Sequence, residues 1–579
     1  MKLRSFFYVL TAGVIVLLSL AVGGFFWLTS QSPLNLLRGG TVANPSAAIF
    51  VPKQAPAMVS LLVNPDRLVA FRQLVARPGE RRRSRAELKQ LEDSLLAKTD
   101  LNYWQDIRPW LGNEITLAVT SLDFDRNSEN AAQPGYLLAV TAKDAERARE
   151  FLRLYYSKEA IAGTTDLVFE KYKGVNLIYR RPLTEPEVSR GKADSSQPSE
   201  ALTSAVVGNF VLFANHPKVL RNAINNVQAE NLSLDDDLEY QQMLESLTEP
   251  RMGLSFVNLP ALAAWISNQP APAQESFKAS ETIALALSLT RQGVLAQTAL
   301  LGAESSNESL TPTLSKPVDA LQYIPSESAL AIAGTDLNQF WNRLSTSAAS
   351  DDTLKPLLDQ AVARLQSYWN IELPEDVFSW VQGEYAIALL PRLDQVNPDW
   401  IFVAQKTAES TDTAIEHLDE IAKNRGLSVG VLPLGEQPIT AWTKLITSAV
   451  PVTGKNDKLM KIEAQVAGVR TTVGDYEIFT SSLEAMDEAL KGIENSLLSR
   501  EDFQDAIAPL PEHNDGYLYL DWTAGKPFIE RQLPLVRVAE LLGKPLFDHL
   551  RSLSVSSYGI DNGVQRSKLF FRLANTPQS

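Results

Sequence analysis

The stretch Trp110-Leu111-Gly112-Asn113-Glu114 leads directly into the run 115–121, whose apolar and β-branched residues are typical of a strand. The stretch returns in the second half of the chain as Trp380-Val381-Gln382-Gly383-Glu384, again followed by a strand-like run, 385–390. The segments around both copies recur in the same order. The sequence therefore predicts an internal duplication, in which both halves have the same fold.

Both halves begin and end in the same way. Each opens with a predicted strand, 57–63 or 328–334, and closes with a predicted hairpin, 283–301 or 553–573. Hairpins around Gly-Asn and Gly-Asp recur between them, with amphipathic helices between groups of strands. Because the strands connect mostly as hairpins, the expected fold class is α+β with antiparallel sheets.

The composition shifts divide the chain into five predicted segments. These are a cytoplasmic tip with a transmembrane anchor (1–29), a tether (30–46), a first α+β repeat (47–303), a linker (304–317) and a second α+β repeat (318–575). A chain of 579 residues has room for two such units, each with its own core.

The N-terminal segment predicts contact with a membrane. Lys2 and Arg4 precede 23 uncharged residues, Phe6 to Leu28, which exceed the length of a bilayer core when helical. A cleaved signal peptide is the alternative, with Ser19-Leu20-Ala21 as its cleavage site. The apolar run continues beyond that site, which favours a retained single-pass anchor. The positive-inside rule then places the N-terminus in the cytoplasm and the bulk of the chain across the membrane.

Composition excludes several classes of function. The 54 basic and 68 acidic residues give a net charge of −14, which disfavours binding to a nucleic-acid backbone. The chain has no cysteine, which excludes disulfides, iron–sulfur clusters, thiolate zinc sites and a cysteine nucleophile. No Gly-rich phosphate loop occurs in either half.

The pattern Gly426-Leu427-Ser428-Val429-Gly430 matches the Gly-x-Ser-x-Gly of serine hydrolases. In those enzymes the serine follows a strand and opens a helix, whereas here a predicted helix precedes it and a strand follows. Gly426 as a helix cap is the favoured interpretation. Surface or capping positions explain all four histidines, which are His216, His417, His513 and His549. The sequence predicts no enzyme and no catalytic residues.

Two acidic clusters are weak candidates for metal binding. Asp123, Asp125 and Asn127 have the spacing of a calcium loop, but Ser128 and Pro134 stand where that loop needs Gly and Glu. Asp235-Asp236-Asp237 is best explained as the acidic start of a helix. No metal and no cofactor is predicted.

A local basic cluster interrupts the acidic chain. It consists of Arg77, Arg81, Arg82, Arg83 and Arg85. Arg81, Arg82, Arg83 and Arg85 are candidates for contact with anionic lipid or an acidic protein. A solvated loop is the alternative. Trp110 and Trp380 are predicted to pack in the core, since large aromatics beside a strand are usually buried.

The Trp-Leu-Gly-Asn-Glu stretch, the duplicated layout and the N-terminal anchor resemble a cyanobacterial family catalogued as domain of unknown function 3352. The resemblance implies a cyanobacterial membrane protein whose bulk lies in the periplasm or thylakoid lumen, and it supplies no activity and no site residues. The expected function is a membrane-tethered, non-enzymatic interaction or scaffold protein. The alternatives are a carrier or sensor of an apolar ligand, such as a lipid or pigment, and a serine hydrolase that uses Ser428.

Overall fold

A computed structural model of the chain describes residues 40–573, and the gaps are 65–101, 126–131, 162–164, 183–201, 230, 262–281, 291, 302–311, 350–371, 393–397, 408, 452–457 and 533–546. The predicted anchor, Phe6 to Leu28, and the arginines 77–85 lie outside the described residues.

The described strands alternate with short loops and occasional helices. In the first half they are β1 (Ala57–Leu61), β2 (Leu111–Ser121), β3 (Gly135–Ala142), β4 (Thr165–Tyr172), β5 (Val175–Pro182), β6 (Thr203–Val207), β7 (Phe210–Ala214), β8 (Gly253–Asn258), β9 (Thr282–Leu289) and β10 (Gly293–Leu301). In the second half they are β11 (Leu330–Thr335), β12 (Glu384–Leu390), β13 (Asp399–Gln405), β14 (Ser428–Leu434), β15 (Gln437–Pro451), β16 (Lys458–Val473), β17 (Tyr476–Thr480), β18 (Gly516–Asp521), β19 (Leu550–Asp561) and β20 (Val564–Leu573).

The helices fall between groups of strands, as the sequence indicates. The described α-helices are α1 (Ala145–Ile161), α2 (Pro217–Gln228), α3 (Leu238–Ser246), α4 (Leu337–Ala349), α5 (Glu409–Asn424), α6 (Leu483–Ala489), α7 (Glu501–Ile507) and α8 (Trp522–Gln532).

The strands form one antiparallel sheet of 20 strands. Its order is β4-β5-β6-β7-β3-β2-β1-β8-β9-β10-β20-β19-β18-β11-β12-β13-β17-β16-β15-β14. Each strand of the first half has a counterpart ten numbers later, from β1 and β11 to β10 and β20. The order is the same from either end when counterparts are exchanged. The last strands, β10 and β20, pair with each other in the middle of the sheet.

The predicted fold class, an α+β chain with a transmembrane helix and two successive antiparallel-sheet units, is therefore wrong. The strands of both halves belong to a single sheet because β10 and β20 hydrogen-bond over nine residue pairs, from Gly293–Arg572 to Leu301–Val564. The physical reason is that each closing hairpin leaves one long strand with an open edge, and pairing these two edges satisfies both rows of backbone groups.

The predicted localisation, a single-pass membrane protein with its bulk in the periplasm or thylakoid lumen, is also contradicted. Within residues 40–573, apart from the gaps named above, no helix is long and apolar enough to cross a membrane. The run Phe6 to Leu28, on which that prediction rested, lies outside this part of the chain.

Helices cover both faces of the sheet, and the alternation of side chains along each strand assigns the two faces. On β3, Leu137 and Ala139 pack with residues of α2, whereas Leu138 and Val140 pack with residues of α1. The counterpart strand β13 divides in the same way, with one face toward α6 and the other toward α5. The molecule thus has three layers, with the sheet in the middle.

Replacing Gly293 by Ala tests the central pairing. A Cβ at Gly293 would lie 1.9 Å from the carbonyl oxygen of Phe571, so the two strands would have to separate. We expect the free energy of unfolding to fall by about 1–3 kcal/mol, as for other overpacked sites, measured by urea denaturation. Gly253→Ala is the matched control, because the nearest atom to a Cβ there is the carbonyl oxygen of Ser60 at 3.4 Å, an ordinary contact. Equal stability of the two variants would contradict the close packing at β10–β20.

Candidate functional site

The two tryptophans of the repeated motif lie at equivalent positions. The Trp110 indole N–H donates to the carbonyl oxygen of Asp106 at 2.8 Å, and that of Trp380 donates to Asp376 at 3.0 Å. Both accepting residues belong to short π-helical turns, Tyr103–Ile107 and Leu373–Val377. The side chains are 3% and 6% exposed, which confirms the prediction that they pack in the core.

The glutamate that ends the first motif has a structural role that the sequence analysis missed. Glu114 is buried, and its carboxylate accepts hydrogen bonds from the backbone N–H groups of Ser46 at 3.0 Å and Ala47 at 2.8 Å. The Ser46 hydroxyl donates to it as well. Glu114 thereby holds the 3₁₀ helix Ser46–Phe50, whose first N–H groups lack partners within the helix.

Glu384 does the same in the second half. Its carboxylate accepts from the Ala320 N–H at 3.1 Å and from the Tyr476 hydroxyl at 2.8 Å, which holds the 3₁₀ helix Asp319–Tyr323. The signal was present in the sequence as the pattern Ala-x-x-aromatic-aliphatic-Pro, at 47–52 and 320–325. These two carboxylates are therefore clamps between sheet and helix.

The hydrolase candidate Ser428 begins β14, directly after the end of α5. Gly426 has a φ of 76° and ends the helix, as the capping interpretation predicts. The order of helix and strand is the reverse of the nucleophile elbow. Among the described residues, no histidine forms a hydrogen bond with the Ser428 hydroxyl.

The four histidines are dispersed. His216 caps α2, accepting from the Lys218 N–H at 3.1 Å, and stacks on Phe124 at 4.4 Å between ring centroids. Burial, followed by the charges of Arg221 and Lys218, lowers its pKa. His417 lies on α5 with its Nε2 3.6 Å from Asp376. His513 lies in the loop before β18, and His549 directly precedes β19.

The acidic clusters take structural positions. Asp123 accepts from the backbone N–H of Gln133, Asp125 lies at the start of the same loop, and Asn127 lies outside the described residues. Asp235 and Asp236 form a 3₁₀ turn, and Asp237 caps α3 by accepting from two backbone N–H groups. Within the described ranges, no three His, Asp or Glu residues form a group that could hold a metal ion.

A shallow groove lies beside Trp110, between the first π-helical turn and α1. Its volume is about 260 Å³, and Phe151 and Leu154 contribute its apolar wall while Arg147, Glu150 and Lys158 contribute charges. Ligand cavities usually measure 300–1,000 Å³ and are mostly apolar. The groove is smaller and more polar than that.

The two open edge strands of the described sheet, β14 and β4, differ in their charge. No residue from Ser428 to Leu434 carries a charge, yet Val431 is 72% exposed and Leu432 is 43% exposed. The other open edge, β4, also exposes an apolar residue, Phe169, but carries Glu170 and Lys171 beside it. Among the residues that the structure describes, neither edge pairs with a further strand.

Two prolines determine which backbone groups of β14 point outward. Pro433 lies opposite Pro438 of β15, and since neither has an N–H, this is a pair without mutual hydrogen bonds. The backbone N–H and C=O groups of successive residues point to opposite sides of a strand. Those of Gly430 and Leu432 therefore bond to β15, whereas those of Val429 and Val431 point to the open edge. The two-residue turn Gly435-Glu436 gives the same alternation, because Leu434 and Gln437, which close it, form a hydrogen-bonded pair.

An ionic network fixes the strands behind this edge. The Arg470 guanidinium on β16 donates to Asp419 of α5 at 2.6 Å and to the buried Glu477 of β17 at 3.0 Å. The Trp442 indole on β15 also donates to Asp419, at 2.7 Å. Burial acts to raise the pKa of Asp419, but the hydrogen bonds from Arg470 and Trp442 prevail and lower it. The network therefore holds α5 and the three strands behind β14 in one arrangement.

The chain is similar to one protein family and to a solved structure. The family model described as protein of unknown function (DUF3352) matches residues 10–573, and the chain belongs to that family. No curated protein matches the sequence. The chain is similar to a solved structure, crystal form I of TP0453, with 11% sequence identity over 46% of this chain and 82% of that one. The TM-score is 0.23, too low to carry an argument.

Removing the carboxylate of Glu114 tests its role as a clamp. Glu114→Ala leaves the N–H groups of Ser46 and Ala47 without their acceptor, so we expect the free energy of unfolding to fall by about 1–3 kcal/mol. Glu384→Ala is the counterpart and should show a loss of similar size. Urea denaturation measures both. Losses below about 0.5 kcal/mol, the scale of ordinary surface substitutions, would contradict the clamp.

Proposed function

We propose that the protein is a non-enzymatic interaction protein that binds an extended segment of polypeptide by adding it as a strand to β14. The observation that carries the proposal is the open, uncharged edge of β14, where the backbone groups of Val429 and Val431 point outward. Strand addition to an exposed edge is a recurring mode of peptide recognition, in which main-chain hydrogen bonds supply the affinity.

The edge lacks the usual protection against pairing. Natural sheets guard an open edge with charged residues, bulges or proline. On β14 only Pro433 has this effect, and it lies near one end, so it limits the length of the added strand. Val429 and Val431 stay available. Each main-chain hydrogen bond contributes about 0.5–1.5 kcal/mol, and covering Val431 adds about 1–2 kcal/mol.

The competing functions have weaker support. A carrier of an apolar ligand needs an apolar cavity of several hundred cubic ångströms. The groove beside Trp110 measures about 260 Å³ and is rimmed by charges. A hydrolase needs a base beside Ser428, and none of the described residues forms a hydrogen bond with the Ser428 hydroxyl. The cyanobacterial source implied by the family resemblance stays a prediction.

The substitution Val431→Pro tests the proposal without touching the bonds between β14 and β15. It removes one outward N–H, so the added strand loses a hydrogen bond and meets a proline ring. The probe is the fluorescein-labelled peptide Lys-Thr-Val-Thr-Val-Thr-Lys, titrated with the full chain and followed by fluorescence anisotropy. We expect the dissociation constant to rise by about tenfold or more, the equivalent of 1.4 kcal/mol.

Phe169→Pro is the matched control at the other edge. The Phe169 N–H also points outward. Tyr172 and Val175 close a two-residue turn as a hydrogen-bonded pair, and Phe169, three positions earlier, has the opposite direction. This variant should bind the probe as the unsubstituted chain does. Failure of the unsubstituted chain to bind the probe at a dilution at which it is monomeric, or equal loss in both variants, would contradict strand addition at β14.

A further inference from the structure

We infer that the strand added to β14 is β14 of a second copy of this chain, paired antiparallel across a twofold axis at Gly430. This inference rests on the proposed function, because it assigns the partner of the same edge. Closed twofold dimers are the commonest assemblies of soluble proteins, and their interfaces must be self-complementary. The structure shows three features of β14 that meet this requirement.

The first feature is the absence of charge. In a twofold pairing the same strand lies on both sides of the axis, so a charged residue near the axis faces a like charge at short range. Like charges directly opposite destabilise a strand pair. The chain carries a net charge of −14, yet the seven residues of β14 carry none. The other edge, β4, carries Glu170 and Lys171.

The second feature is the register that the backbone allows. With Gly430 opposite Gly430, Val429 of each copy lies opposite Val431 of the other, and both residues point their N–H and C=O groups across the edge. Four hydrogen bonds form. Pro433 lies opposite position 427, which precedes the start of the partner's strand at Ser428. Pro433 therefore faces a position outside the partner's strand β14, and no hydrogen bond between the two strands is lost there.

The third feature is the surface that this register covers. Val429 and Val431 lie on the side of α5, where the side chain of Val429 already packs with the α5 core. A pair of β-branched side chains directly opposite each other stabilises a sheet. On the other face Leu432, 43% exposed, lies opposite the small Ser428. At the axis Gly430 has no side chain, and a Cβ there would meet nothing within 4 Å of its own chain.

That open space makes Gly430 the position for the test. Gly430→Glu and Gly430→Lys each place two like charges at the axis, without a clash inside the single chain. Sedimentation velocity on the full chain should find the unsubstituted protein at twice the mass of one chain. For each variant alone, the dissociation constant of the dimer should be at least about tenfold higher, since like charges now face each other.

An equimolar mixture of the two variants is the decisive sample, because Glu then faces Lys across the axis. The mixture should recover the dimer. Dimers that persist in both single variants, or a mixture that stays monomeric, would overturn the twofold pairing at Gly430.

The outcome also separates this inference from the proposed function. The labelled peptide competes for the same edge, so it should dissociate the dimer. An unsubstituted chain that is monomeric but binds the peptide contradicts only the assignment of the second copy. A chain that is monomeric and does not bind the peptide contradicts both.

Discussion

The pairing of β10 with β20 is the interaction on which the rest of the structure depends. Each half ends in a hairpin with one open edge, and nine residue pairs join these edges into a single sheet. The chain therefore covers the open edges of its two closing hairpins in the middle of the molecule. The outer edges, β4 and β14, are what remains open among the described strands. Under the proposed function, the closed centre of the sheet leaves these outer edges as the places for an added strand.

Local structure followed from the sequence, and the joining of the halves did not. The Gly208-Asn209 and Gly474-Asp475 turns, the closing hairpins and the burial of Trp110 and Trp380 all follow from short-range patterns. Alternation of apolar residues identifies a strand and its hairpin partner. It does not tell which strand lies on the far side of β10. That choice depends on long-range pairing, and two separate units fitted the same pattern equally well.

The candidate site shows the same limit. The pattern around Ser428 drew attention to a hydroxyl, whereas the proposed binding uses the backbone groups of its neighbours. Their direction is fixed by the pairing of Pro433 with Pro438, which only the hairpin register reveals. Glu114 and Glu384 likewise looked like parts of a strand motif. Their contacts with the short helices before β1 and β11 required the folded chain.

Hydrogen–deuterium exchange of single amides in β14, in the chain diluted until it is monomeric and with and without excess labelled peptide, tests the central claim most directly. The direction of each N–H predicts slow exchange at Gly430 and Leu432 in both samples, because these groups bond to β15. Exchange at Val429 and Val431 should slow strongly when the peptide is added. Protection that appears equally at all four amides, or away from β14 altogether, would contradict the addition of a strand at this edge.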